Sequence, residues 1–158
     1  MITYDKSSHM KKLLIVGLVG LGSVGCSSIS VKTVPVSTIK QEPELCIEDN
    51  PKVTVPEFNT YLKEAFLRHD INTKLYEKGA VSASCKYKLN YVAYRSWDLA
   101  MYLSQVKLEL FEKEDPIAVV NWQQGSGALN KWRSSQGKVY YLVDELLGEA
   151  KNKGETVK

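Results

Sequence analysis

The sequence has no long hydrophobic run, no basic cluster and almost no histidine, and each shortage excludes something. The longest apolar stretch, Leu13 to Gly22, is shorter than the ~20 residues a helix needs to cross a bilayer. No dense group of lysine and arginine stands in the folded part of the chain, so nucleic acid is not an expected partner. There are 2 histidines, His9 and His69, and 3 cysteines, too few for a His/Cys metal set once the cysteines have other uses. The glycines of "GSG" lack the spacing and the lysine of a phosphate-cradling loop. The acidic residues Glu112, Glu114 and Asp115 lie in a turn and read as solvated. His69 stands beside Asp70 at the end of a helical stretch, where it reads as a polar residue closing the helix, favourable there if protonated. No catalytic residue, cofactor or metal is assigned, and the chain reads as non-enzymatic.

What is present begins at the N-terminus. Lys11 and Lys12 precede Leu13-Leu14-Ile15-Val16, and the apolar run then shrinks to Ser23-Val24-Gly25 before Cys26. A basic pair, a short apolar run and small residues are the parts of a secretory signal. Residues 23–26 resemble a bacterial lipobox, in which the cysteine thiol carries diacylglycerol, although Ser23 takes the place of the usual large aliphatic residue. The alternative is an ordinary secretory signal with a cysteine at its cleavage point. Residues 1–25 are therefore expected to be a signal peptide, with 1–9 an upstream extension or cloning remnant ahead of Met10. Cys26 is the expected lipidation site.

Cleavage before Cys26 would leave 133 of the 158 residues, enough for one domain with a core. It would also remove Lys6, Lys11 and Lys12 against Asp5, leaving 18 basic and 17 acidic residues. An odd cysteine count in an exported chain asks for a reason. Lipidation of Cys26 leaves Cys46 and Cys85, for which a disulfide is the natural expectation in an oxidising compartment. Two buried free thiols are the alternative.

Residues 26–43, with "SSISVKTVPVSTIKQEP", read as an extended tether whose "ISVKTV" alternation offers an edge strand. The domain is expected over 44–148 and a solvated tail over 149–158. "ELCIEDN" reads as a first strand. In "VTVPEFNTYLKEAFLRHD", Thr54 and Glu57 have capping-box spacing, Pro56 suits a first turn, and Phe58, Leu62, Ala65, Phe66 and Tyr61 recur at helical spacing. "INTKLYEK" is a second strand. "CKYKLNYVAYRSW" and "YLSQVKLELF" alternate, and the latter forms a hairpin with "IAVVNWQ". "KVYYLVDELLGEA" is a second helix with Val139, Leu142, Val143 and Leu146 inward, ending near Gly148. The order β-α-β-β-β-β-α predicts an α+β two-layer sandwich, a mostly antiparallel sheet with two helices on one face.

Two stretches have the composition of a binding surface. "YRSWDLAMY", residues 94–102, lies between two strands and holds Arg95, Trp97 and Asp98, an aromatic anchor with both charge signs. Near the opposite connection Lys131 and Arg133 flank Trp132. Arg95, Trp97, Asp98, Lys131, Trp132 and Arg133 are the candidate partner-binding residues. The alternative is that Trp97, Trp122 and Trp132 plug the ends of the core while Arg95 and Asp98 pair locally. Trp132 is the tryptophan expected to be most exposed.

"CIEDNPKV", "YRSWD", "YLSQVKLEL", "KW" and "VDELL", in that order behind the lipobox cysteine, resemble a family of small lipoproteins of Gram-negative bacteria with no assigned activity. More loosely, a helix-covered sheet behind a lipid looks like the periplasmic domains of lipoproteins that activate cell-wall synthases or assist secretion. Ser27 after the cysteine resembles a signal for outer-membrane sorting. The resemblance implies a lipid-anchored protein on the periplasmic face of the outer membrane. The expected role is a protein-binding or accessory module for an envelope protein. The alternatives are a structural, envelope-integrity role without a defined partner, and an enzyme with an unrecognised site.

Overall fold

A computed structural model describes residues 27–150. The expected signal peptide, the extension 1–9, the lipidation residue Cys26 and tail residues 151–158 lie outside the described residues. The elements are β1 (Ser28–Lys32), α1 (Val36–Ile39), β2 (Leu45–Glu48), α2 (Phe58–Leu67), β3 (Thr73–Tyr76), β4 (Tyr87–Asp98), β5 (Ala100–Glu112), β6 (Asp115–Gln123) and α3 (Ser135–Leu146). From β2 onward this is the expected β-α-β-β-β-β-α. The class is α+β, a six-stranded mixed sheet with three helices. No helix among the described residues is long and apolar enough to cross a membrane.

Alternation builds the long strands. In β4, Tyr87, Leu89, Tyr91 and Ala93 are buried while Lys88, Asn90 and Val92 are half-buried between them. Val106, Leu108 and Leu110 of β5 and Ala118, Val120 and Trp122 of β6 continue that buried side. Side chains two apart share a face, so one periodicity feeds one core. The β5–β6 hairpin closes on Lys113-Glu114, Lys113 taking φ 56 as a tight two-residue turn requires. The strand order is β1-β6-β5-β4-β2-β3. β4–β5, β5–β6 and β1–β6 are antiparallel, whereas β2 runs parallel to β3 and to β4. β2 and β3 are parallel because α2 carries the chain back to start β3 at the same end, and residues 77–86 return it again so that β4 also runs parallel to β2.

The helices bury the faces their spacing marks: Phe58, Leu62, Ala65 and Phe66 on α2, and Val139, Leu142, Val143 and Leu146 on α3. These residues join the sheet's apolar side chains in one core, with Tyr61 only partly buried at its margin. α3 ends as expected. Gly148 at φ 71 lets its N–H reach Glu145 O at 3.1 Å, and Glu149 N–H reaches Asp144 O at 2.8 Å. That pair of bonds satisfies the last carbonyls through a left-handed glycine.

Two expectations are corrected. Thr54 and Glu57 do not form a capping box. The helix begins at Phe58, three residues later than that box requires, so Glu57 itself stands at the N-cap with φ 57. Its carboxylate accepts from the Tyr61 hydroxyl at 2.8 Å, and Pro56 precedes the helix instead of sitting in its first turn. The second correction concerns the tether. Ser28–Lys32 pairs with β6 from Ser28↔Gln123 to Lys32↔Val119, Val34 N–H bonds Leu146 O at 3.0 Å, and Ile39 is buried. An unpaired β6 edge is costly, and the alternating segment beside it supplies the missing strand.

The disulfide forms between Cys46 of β2 and Cys85 just before β4. Glu44, Cys46 and Cys85 bring potential ligand atoms within 4.8 Å, but both sulfurs are bonded to each other and offer no thiolate.

Candidate functional site

One end of the sheet gathers the residues that matter. Ser28 faces Gln123, Gln123 faces Gln105, and Gln105 faces Tyr94, so the start of β1 lies in one row with β6, β5 and β4. β4 and β5 do not stop at that row. They continue as a hairpin through Trp97↔Met101 and Asp98↔Ala100, turning on Leu99 alone. The stretch expected as a connection between strands is therefore the tip of a long hairpin, offset by a bulge between Tyr94 and Arg95.

Leu99 turns the hairpin at φ 59, a backbone region a leucine enters only at a cost. Its side chain is 81 % exposed, Trp97 is 70 % exposed, and Met101 and Tyr94 are also open. Trp97 is thus no plug of the core, and it is more exposed than Trp132 at 44 %. Trp122 is the one that fills the core, at 8 % exposed. Strand alternation and pairing explain this: Trp122 shares the inward parity of Val120, while Trp97 lies beyond the last row where β6 pairs with β5.

The loop after β6 folds back onto this tip. Gln124 N–H bonds Ser104 O at 2.8 Å, and its side-chain amide donates to Ser27 Oγ at 2.8 Å and to Asn130 Oδ1 at 3.1 Å. Lys131 then places its ammonium on Asp98 Oδ2 and 3.3 Å from Ser126 O, and Trp132 donates its indole N–H to Asp98 O at 3.0 Å. The Lys131 ammonium also lies 4.6 Å from the Trp132 ring centroid. Asp98, Lys131 and Trp132, far apart in sequence, are brought together. Asp98 pairs with Lys131 and not with Arg95, because the bulge turns Arg95 outward while the loop delivers the ammonium. Lys131 is itself buried, so it holds the ridge instead of presenting charge. Arg95 and Arg133 are exposed on its flanks.

Behind this ridge an open groove of about 750 Å³ runs along α3, lined in part by Arg68, Trp122, Gln124, Lys138, Tyr140 and Asp144. Lys138 donates to Lys131 O at 2.7 Å and sits 5.3 Å from the Trp122 ring. Burial there lowers its ammonium to about 8, since a poorly hydrated cation gives up its proton more readily. Gln124 Oε1 is buried in the same wall with no hydrogen-bond partner among the described residues.

His69 is buried, with Nε2 2.6 Å from Asp144 Oδ1, and Arg68 Nη2 lies 3.9 Å from the other carboxylate oxygen. The expectation of a polar group simply closing α2 is corrected: His69 ties α2 to α3. Local sequence cannot signal a partner 75 residues away. A separate polar cluster surrounds Tyr91, whose hydroxyl lies 3.0 Å from Asp49 Oδ1 and 2.5 Å from Asn59 Oδ1. Asn50 adds its backbone N–H to that hydroxyl and its side-chain amide to Tyr91 O. Burial raises the phenol pKa, and the cluster pins the β2–α2 connection to β4.

Mixed sheet, three helices and a solvent-exposed hairpin tip define the class: an α+β domain with a cluster of exposed apolar residues at one end of its sheet. Its fold is similar to that of the PelC L103M dodecamer from Paraburkholderia phytofirmans, with a TM-score of 0.52 and 10% identity. The match covers 78% of this chain and 97% of that one, and at such identity it shows shared fold alone. No family model and no curated protein matches the sequence.

Proposed function

We propose that this chain is a non-enzymatic lipoprotein of the Gram-negative outer membrane, acylated at Cys26, whose periplasm-facing domain is a protein-binding accessory module. The observation that carries the binding role is the ridge made by Asp98, Lys131 and Trp132, with Arg95 and Arg133 beside it. The Lys131–Asp98 ion pair and the Trp132 indole bond to Asp98 O organise the ridge, so its aromatic ring is held in place before a partner arrives, which lowers the cost of binding. The layout we favour is the two-layer sandwich: α2 and α3 on one face of the sheet, the other face left to charged pairs such as Lys107–Glu109 at 2.7 Å. Because the similar fold belongs to a dodecamer, further copies of this chain are the first partner to test, ahead of another envelope protein.

In-cell crosslinking of the membrane-extracted chain tests the reading. A discrete adduct is expected with the native sequence, reduced at least severalfold by Trp132→Ala or Arg95→Glu at equal protein level. A native chain that gives no adduct, or one indifferent to both substitutions, contradicts it.

A further inference from the structure

The exposed apolar residues of the β4–β5 tip lie at the end of the sheet where the chain enters the fold. Ser27 is held there by Gln124, and β1 begins at the very next residue. The row Ser28–Gln123–Gln105–Tyr94 crosses that end, and the hairpin runs five residues further, from Tyr94 to Leu99. At ~3.3 Å per residue, the tip stands roughly 15 Å past the row. Cys26 is one residue before Ser27, so its Cα lies about 3.8 Å from that of Ser27. A domain suspended from an acyl chain on Cys26 has no slack, and its hairpin overreaches its own anchor. It meets the bilayer tip first.

The side chains at the tip suit that position. Trp97 and Leu99 are 70 % and 81 % exposed, Met101 is exposed beside them, and Leu129 in the loop braced against the hairpin is 92 % exposed. Leu99 is the informative one. It occupies φ 59, where asparagine or glycine is cheaper, and it lies outside the core with most of its side chain in solvent. Neither backbone nor core asks for leucine there. Tryptophan favours the headgroup level of a membrane, apolar chains favour the layer beneath, and the one acidic group at the tip, Asp98, is neutralised by Lys131. We infer that the β4–β5 tip is a second membrane contact, inserting Trp97, Leu99 and Met101 into the phospholipid interface and fixing the tilt of the domain. The inference rests on the Cys26 anchor but not on the partner role. Because Asp98 stands between Trp97 and Leu99, its pair with Lys131 then sits at the headgroup level, where an ion pair stays hydrated.

The test uses the full lipidated chain reconstituted into phosphatidylcholine vesicles carrying bromine on the acyl chains, with the mass of the chain reporting acylation. Tryptophan emission of the native chain is expected to be quenched, and Trp97→Phe is expected to lose most of that quenching. Leu99→Asn removes apolar surface at a backbone position that asparagine tolerates. It is expected to weaken the quenching without lowering the thermal midpoint, which separates membrane contact from folding. An acylated chain whose quenching is absent, or unchanged in Trp97→Phe, overturns the inference alone. A chain that carries no acyl group overturns the anchor and the inference together.

Discussion

Lys138 shows how one residue couples this groove to solution conditions. In the unfolded chain its ammonium holds its proton to the ordinary lysine value of 10.5, whereas in the fold burial against Trp122 releases it at about 8. Between those values the unfolded chain binds more protons, so raising the pH favours the fold. Buried tyrosines act in the opposite sense higher up. Tyr141, pushed up to about 12 by burial, keeps its proton in the fold after the unfolded phenol has lost it near 10. The urea midpoint is therefore expected to rise from pH 8 toward 10 and then to fall. Lys138→Met should flatten the rise and leave the fall; a rise of equal size in the variant would contradict the assignment. Other residue roles came from distant partners, and this limited what the sequence could say. The alternation of β4 does not reveal that Asp98 will pair with Lys131, because a loop 33 residues later delivers the ammonium. Nor does Trp97 announce its exposure, since composition marks a tryptophan as useful without saying on which side of the last packed row it falls.

Elements were far more legible than residues. Helical spacing identifies the buried faces of α2 and α3, and strand alternation identifies β4, β5 and β6, because both patterns are written in neighbouring residues. Pairing is a different matter. The "ELCIEDN" strand was legible, but its placement between β3 and β4, parallel to both, depends on the path taken by α2. The tether segment shows the same dependence, its edge strand forming as its alternation offers while the rest folds onto the domain. Its "ISVKTV" pattern is a strand only because β6 leaves an edge open next to it. The Thr54/Glu57 spacing failed because a three-residue shift in the helix start takes both residues out of capping position. At this scale the disulfide is the main covalent brace, tying β2 to the segment that leads into β4 across 39 residues. Replacing Cys46 and Cys85 together by alanine is expected to lower stability by about 4 kcal/mol, the loop-closure value for that length. Chemical denaturation measures it, and a loss below 1 kcal/mol would mean that the sheet holds β2 without the bond.

For the whole molecule, the decisive change from sequence to structure is the loss of slack at the N-terminus. A tether of 18 residues would let the domain sample any orientation; a strand that starts at Ser28 does not. The same geometry sorts the surface. The hairpin tip points past the start of β1 at Ser28, the Asp98–Lys131–Trp132 ridge sits beside it, and the groove along α3 lies behind. The proposed place of this arrangement at a membrane depends on Cys26 carrying a lipid. Metabolic labelling with radioactive palmitate, followed by recovery of the chain from the membrane fraction, tests that directly. The native chain is expected to carry label and to sediment with outer membranes, and Cys26→Ala is expected to carry none. An unlabelled native chain recovered in the soluble periplasmic fraction would contradict the account.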